Sequence, residues 1–467
     1  MRSTLPVLAI CCLAVARSQK QETCYADNPN PYLNFGTKTA YEHAYNKKGI
    51  QAVPDCQPIQ LWLVARHGTR WPSADDIPEF SQLNDIKNHI ISNYNNNKGS
   101  LCMKDIENLK EWSFNMSPDQ GDMLTKQGRQ DLYLLGKRIR SYFPELLNIP
   151  YSADKFVFRH TNTSRTKESA EYFYRGVFGM SFEDQVPTLP APIEDDRLIY
   201  PYNNCPTWDA QSSSAKEEKA KFDKSEWMNN VIYSVSQRLG FDYNLTKDNV
   251  KDIYDGCRYQ KAWNVTGTSP WCAAFTKEEL QVLEYGEDVK YFYKSGPGKP
   301  MNMRLACPLV KDLYTRFSAV EEEPRGNHPA AVFYFSHATM VDMVSARLGL
   351  TDDSLPLTAD NFPDQMYRKF RTSNIIPFTG NVLAVLYNCA RGESLQTIFY
   401  QAEDIVRYPG CSVGLCEWNY IKQRFSSFTQ EPSCVDDSYC FTKGGAATVT
   451  SNIGLLVAIV VLAYRIY

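Results

Sequence analysis

An α/β fold, with a mainly parallel sheet flanked by helices and an inserted all-helical cap, is what this sequence predicts, on three observations. Apolar runs at residues 59–65, 156–159 and 332–336 each read as a buried strand. Each leads into a helical pattern, such as 170–178 and 340–348, as the crossovers of a parallel sheet require. Between about residues 195 and 306 the strand runs disappear, and charged helical stretches at 214–230 and 276–293 replace them, which predicts the cap. A fourth strand candidate, 382–387, comes late. Function in such sheets sits at the carboxyl ends of the strands, so the residues that follow the first three runs carry the argument.

The first run ends in Arg66-His67-Gly68-Thr69-Arg70, which places an imidazole between two guanidinium groups. An imidazole nitrogen can attack phosphorus, but a phosphate dianion repels nucleophiles until fixed positive charge is set against its oxygens. Arginine supplies that charge through a planar fork that matches phosphate and stays protonated. Gly68 allows close backbone approach, and Pro72 suits the first turn of a following helix, so strand, loop, helix is expected here. The second run leads to Arg165 at the start of a helix, where an anion is favoured. The third ends in His337. Taken singly, Arg165 also reads as a solvated helix-start charge and His337 as a capping or core histidine; their positions after strands favour the pocket.

The stretch from Trp62 to Pro72 resembles the signature of the histidine acid phosphatases, the large branch of the histidine phosphatase superfamily. Leu124-Thr125-Lys126-Gln127-Gly128-Arg129, Asn203-Asn204-Cys205-Pro206, Tyr291-Phe292-Tyr293-Lys294 with Gly296 and Gly298, and Pro356-Leu357-Thr358-Ala359-Asp360-Asn361-Phe362 are similar to the multiple inositol polyphosphate phosphatase group. The resemblance runs from about Cys56 to about Cys416. It implies a phosphoglycerate-mutase-like core and a phosphohistidine at His67. Arg66, Arg70, Arg165 and His337 would hold the phosphate, without metal or cofactor. It also implies inositol polyphosphate substrates, including the hexakisphosphate, with 2,3-bisphosphoglycerate as a further substrate of some members.

One departure stands out. In that group the residue two after the second histidine is a glutamate, the acid that protonates the leaving alkoxide, and in ordinary phytases an aspartate directly follows the histidine. Here the run is His337-Ala338-Thr339-Met340. A threonine hydroxyl is too weak an acid for this task, to which a positioned acid contributes about 10²- to 10⁴-fold. Asp342 lies more than one helical turn along and is expected to point away. His160 could approach the pocket from the Arg165 loop, although a histidine merely ending a strand is the plainer reading. A neighbouring substrate phosphate could also donate. Two functions follow: a slow or substrate-assisted phosphomonoesterase, or a catalytically impaired protein that binds phosphate esters.

The 467 residues leave room for a large core and at least one subdomain. A hydrophobic share of 43%, a charged share of 22% and a net charge of −3 are those of an ordinary globular protein and argue against nucleic-acid binding. There is no Walker loop, His-Glu-x-x-His or Cys-x-x-Cys. The cap lysines Lys216, Lys219, Lys221 and Lys224 are interspersed with acids and read as a solvated face. The asparagine-rich patch at 93–97 reads as a loop.

Residues 1–18 read as a signal peptide, with Arg2, a short apolar stretch and Ala16-Arg17-Ser18 at the cleavage site. Its removal takes Cys11 and Cys12 and leaves twelve cysteines, an even number that suits up to six disulfides in a secreted chain. Resemblance to phytases implies Cys56 with Cys389 and Cys257 with Cys272. Sequons begin at Asn115, Asn162, Asn244 and Asn264; Pro118 disfavours the first, and Asn162, close to Arg165, is expected to stay unglycosylated. Gly444-Gly445-Ala446-Ala447, a short polar spacer and the apolar tail 453–463 resemble a lipid-anchor signal, with a single transmembrane helix as the alternative. The expected organisation is therefore a core of 19–194 and 307–443, a cap of 195–306 and an anchor signal of 444–467.

Overall fold

The computed structural model describes residues 24–28, 34–214, 216–391, 395–429, 434 and 438–440. Its strands are β1 (Cys56–Arg66), β2 (Phe156–His160), β3 (Ala331–Ser336), β4 (Asn381–Cys389), β5 (Leu395–Gln401), β6 (Asp404–Ile405) and β7 (Cys416–Glu417). They form one sheet in the order β2-β3-β1-β4-β5-β6, with β7 beside β5. The first three expected strands are mutually parallel, Leu61 facing Ala331 and Phe156 also facing Ala331. β4 then lies antiparallel on the other edge of β1.

Side-chain alternation divides the core. Trp62, Val64, Val332 and Tyr334 project to one side of the sheet, and Leu61, Leu63, Ala65, Phe333 and Phe335 to the other. Both faces are covered, so β3 is buried throughout and the strands read as unbroken apolar runs rather than alternating ones.

The longer helices are α1 (Ile77–Asn95), α2 (Met103–Glu111), α3 (Lys126–Tyr142), α4 (Ser164–Val177), α5 (Pro206–Ser214), α6 (Lys216–Phe222), α7 (Glu226–Arg238), α8 (Lys247–Trp263), α9 (Lys277–Lys294), α10 (Pro300–Glu322), α11 (Ala338–Leu348) and α12 (Trp418–Thr429). α3 and α4 cover one face of the sheet and approach closely through Gly136 and Gly176. A Cβ on Gly176 would stand 2.1 Å from the Tyr133 carbonyl oxygen. α5 to α10 fill the chain between β2 and β3, and α10 runs without a break through residue 306.

Four local expectations need correction. The stretch 214–230 is not one helix: it breaks at 223–225, where the Ser225 hydroxyl accepts from the Met228 amide at 3.3 Å and caps α7. Pro72 does not open a helix; its carbonyl instead accepts the Asp122 amide at 2.8 Å, and the next helix starts at Ile77. The asparagine patch is largely the end of α1, which stops where Asn97 turns left-handed at φ 58°, a conformation asparagine tolerates. β5 was not anticipated, since Gln396 and Thr397 interrupt its apolar pattern.

All twelve cysteines form disulfides: Cys24–Cys102, Cys56–Cys389, Cys205–Cys440, Cys257–Cys272, Cys307–Cys434 and Cys411–Cys416. Cys56 and Cys389 are cross-strand partners, so that bridge ties β1 to β4. Six bridges suit the oxidising secretory route or the cell exterior. Among the described residues no helix is long and apolar enough to cross a membrane. The expected signal peptide and the C-terminal anchor signal lie outside the described residues.

Candidate active site

The loop after β1 is held on several sides by backbone bonds. The Arg66 amide donates to Gly380 O at 2.8 Å, the His67 amide to Ser336 O at 3.0 Å and the Thr379 amide to His67 O at 3.1 Å. Gly68 rests on the start of α3, where a Cβ would lie 2.5 Å from the Gly128 carbonyl oxygen. A Cβ on Gly128 would in turn lie 2.2 Å from the Thr69 carbonyl oxygen. This mutual approach is what the Leu124-to-Arg129 motif is for: Thr125 caps α3 through the Gly128 amide and donates its hydroxyl to Thr69 O at 2.9 Å.

His67 is 4% exposed. Its Nδ1 stands 2.8 Å from Gly68 O, and since a carbonyl only accepts, Nδ1 carries the proton and Nε2 keeps its lone pair. Burial, then the nearby Arg66 and Arg165 charges, hold this imidazole well below its usual pKa and therefore neutral. The His337 ring lies edge-on at 5.7 Å, and burial followed by Arg165 and Arg66 depresses it likewise. Thr161 Oγ1 is 3.0 Å from His337 Nε2. The Thr161 hydroxyl can donate to that nitrogen or accept from it, so the contact orients the His337 ring and leaves either tautomer open.

Three guanidiniums surround the pair. Arg66 Nη1 donates to Thr37 O and Ile376 O at 2.6 and 2.7 Å, and its plane covers the Phe378 ring at 4.4 Å. Burial lowers its pKa to about 10, still charged at any working pH. Arg165 lies on the first turn of α4. The buried Nε atoms of Arg66 and Arg165 have no hydrogen-bond partner among the described residues. Asp122 Oδ1 lies 3.3 Å from Arg70 Nη1 and 3.6 Å from Arg165 Nη1.

Arg66, His67, Arg70, Arg165 and His337 are thus gathered at the carboxyl ends of the three parallel strands. Thr339 sits on the first turn of α11, mostly buried, with the Tyr202 phenol beside the Ser336 and Thr339 hydroxyls. Asp342 faces elsewhere, accepting the Ser295 hydroxyl at 2.6 Å. His160 binds Thr161 O through Nδ1 at 2.9 Å and lines a different cleft with Asn162 and Lys167.

Beside the clamp opens a cleft of about 420 Å³, lined by Lys38, Lys219, Tyr259, Lys290 and Tyr291 among others. It connects to His67 through tilted rings: Tyr259 lies 6.3 Å from Phe378, and Phe378 lies 6.3 Å from His67. Burial and then Arg258 lower the Lys38 ammonium to about 8. Burial would raise the Tyr291 phenol, but Lys294, Lys38 and Lys290 outweigh it and bring it to about 7. Acids line the cleft too, Asp223 pairing with Lys219 and both Asp255 and Glu287 with Arg258, while Lys38 and Lys290 act on Tyr291. The reading of the cap lysines as a solvated face interspersed with acids fits Lys221 and Lys224, which are exposed, while Lys216 and Lys219 line the cleft, where Lys219 pairs with Asp223. Thr161, Asp122, Lys38 and Tyr291 are site residues that sequence reasoning did not assign; only Tyr291 had a signal, inside a motif quoted for its resemblance.

The histidine phosphatase superfamily (branch 2) model matches residues 59–408. Multiple inositol polyphosphate phosphatase 1 of Drosophila melanogaster is 36% identical over 447 residues, 93% of this chain and 92% of that protein. The Homo sapiens protein of the same name is 28% identical over 79% of this chain and 80% of its own length. Among solved structures, the phytase from D. castellii superposes with a TM-score of 0.67 at 18% identity, covering 86% of this chain and 88% of that one. The Bifidobacterium longum multiple inositol polyphosphate phosphatase in complex with inositol hexasulfate gives 0.61 at 16% identity, covering 83% and 96%. The chain belongs to branch 2 of the histidine phosphatase superfamily. Within it, the chain is a histidine acid phosphatase of the kind that includes the multiple inositol polyphosphate phosphatases and phytases, and so a phosphomonoesterase.

Proposed function

We propose that this enzyme hydrolyses inositol polyphosphates through a phosphohistidine at His67. The observation that carries the substrate class is the cleft beside the clamp: a monophosphate is served by the arginines alone, whereas Lys38 and Lys290 offer charge for further phosphates. The relatives' names agree with it.

In this mechanism Arg66, Arg70 and Arg165 bind the non-bridging oxygens, and His337 donates a further hydrogen bond to them. His67 Nε2 attacks phosphorus while Gly68 O steadies the positive charge that develops on the ring, and water then cleaves the N–P bond. Thr339 occupies the place where the group's glutamate would stand, which favours slow expulsion of alkoxides and, at the limit, a protein that binds phosphate esters without turning them over. Phosphate release from inositol hexakisphosphate and from an aryl phosphate by the purified protein tests both. Release from both supports the proposal, release from the aryl ester alone indicates the impaired form, and release from neither refutes catalysis.

The same proposal places the enzyme at the cell surface, held by a lipid attached near residues 444–447. Release from cells by a phosphatidylinositol-specific phospholipase is expected. A cell-bound chain that resists release and retains residues 453–467 would favour a transmembrane helix.

A further inference from the structure

We infer that Asp122 is the proton carrier of this site, a catalytic residue that takes over the acid's work at the mouth of the pocket. The inference rests on the phosphohistidine reading above.

Displacement at phosphorus is in line. His67 lies on the buried floor, so the departing oxygen must stand on the side opposite Nε2, toward solvent, where the bulk of the substrate remains. A proton donor has to reach that open side. The acidic groups already considered do not qualify: Asp342 is fully buried and held by Ser295, His160 faces another cleft, and the Tyr202 phenol is buried beside the Ser336 and Thr339 hydroxyls. Asp122 does qualify. Its side chain is 37% exposed, and one carboxylate oxygen stands between Arg70 and Arg165, two of the groups that would hold the phosphate. Carboxylate and phosphate therefore share the same guanidiniums and must lie side by side.

The backbone builds this placement. The Asp122 amide is bonded to Pro72 O, the Trp71 amide donates to Met123 O at 3.0 Å, and Arg70 pairs with Leu124 as an isolated antiparallel bridge. Asp122 itself has φ 63°, a left-handed conformation that costs most side chains about 1 kcal/mol or more but that aspartate and asparagine tolerate. A carboxylate held there, against two clamp arginines, is a residue the loop is shaped to present.

The proton balance closes without another reactant. A phosphate ester that arrives as its monoanion brings one acidic proton, which passes from a non-bridging oxygen to the Asp122 carboxylate. His67 Nε2 then forms the N–P bond as the P–O ester bond breaks, and the Asp122 proton goes to the leaving oxygen, releasing the alcohol. In the second step water attacks phosphorus, the N–P bond breaks, and one proton of the water passes directly to a non-bridging oxygen of the phosphate released, so this step, shared by all esters, does not need Asp122.

The test compares Asp122→Asn, which keeps shape and tolerates the left-handed backbone, on glycerol phosphate, inositol hexakisphosphate and para-nitrophenyl phosphate. Turnover of the two alkyl esters is expected to fall by about 10²- to 10⁴-fold, while the aryl ester, whose leaving group needs no acid, stays within about threefold. That retained aryl activity also reports an intact fold. Asp122→Glu, which keeps a carboxyl group, should hold alkyl turnover within about tenfold of wild type. Thr339→Glu added to Asp122→Asn should recover at least about tenfold on the alkyl esters, by putting an acid back on the other wall. Alkyl and aryl rates falling together, alkyl rates unchanged, or Asp122→Glu as slow as Asp122→Asn on alkyl esters would each overturn Asp122 as the carrier. Wild-type protein inert toward the aryl ester would instead sink the phosphohistidine reading, and this proposal with it.

Discussion

Thr161 Oγ1 and His337 Nε2 are 3.0 Å apart, and that contact orients the His337 ring. Thr161 is fully buried and also meets the Thr166 hydroxyl at 2.9 Å, so its position is fixed by the first turn of α4, the same turn that carries Arg165. Strand end, helix start and imidazole orientation are therefore a single construction.

Thr161→Val removes the hydroxyl but keeps the shape. Removing a donor to a developing oxyanion costs about 10²- to 10³-fold, and losing only the group that orients the donor should cost kcat about tenfold or somewhat more. KM should change little, and Thr161→Ser should restore the rate. A Thr161→Val enzyme with unchanged kcat, or one not rescued by serine, would show that the His337 ring is oriented in another way.

The cleft makes a pH prediction. Lys38, lowered to about 8 by burial and Arg258, is charged below that pH and loses its charge above it. Tyr291, at about 7, gains negative charge over the same range. Both changes weaken attraction for a polyanion as pH rises, so KM for inositol hexakisphosphate should climb between about pH 7 and 8 while that for an aryl monophosphate climbs less. Lys38→Met should raise KM for the hexakisphosphate already at pH 6 and flatten its rise near pH 8. A flat wild-type profile through this range would remove Lys38 from substrate binding.

Asp342 offers a test on stability rather than rate. Burial, opposed by the Ser295 hydrogen bond, raises its carboxyl to about 8, with Asp288 adding to the rise. The folded protein then keeps a proton between the usual carboxylate range and about pH 8 that the unfolded chain has released, so this residue lowers stability as pH rises through that window. Asp342→Asn, neutral throughout, should melt higher than wild type at pH 8 and much closer to it at pH 4. A melting-temperature difference independent of pH would mean that Asp342 is ionised in the fold.

What was readable in the sequence depended on how far a signal travels along the chain. Residues 59–65 and 332–336 stood out because burial on both faces of the sheet demands unbroken apolar runs, and their last residues mark the pocket. Arg66, His67 and Arg70 lie within one loop, so their convergence is local. Asp122 was invisible because a pairing of Arg70 with Leu124 brings it in, and no local pattern records that register. Lys38 reaches the cleft from ahead of β1, against α8 and α9, with only a short 3-10 helix around it. Thr161 is one threonine among several. Pro72 misled for a physical reason: a proline that suits a helix start suits equally a loop whose carbonyl is needed elsewhere, and here Asp122 takes that carbonyl.

The most direct test of the central claim is to trap the phosphoryl enzyme. Mixing the protein with para-nitrophenyl phosphate, quenching in base and mapping peptides by mass spectrometry should find an acid-labile, base-stable phosphoryl group on His67, and none in a folded His67→Ala protein that also lacks turnover. Phosphoryl transfer to a different residue, or His67→Ala retaining normal activity, would contradict it.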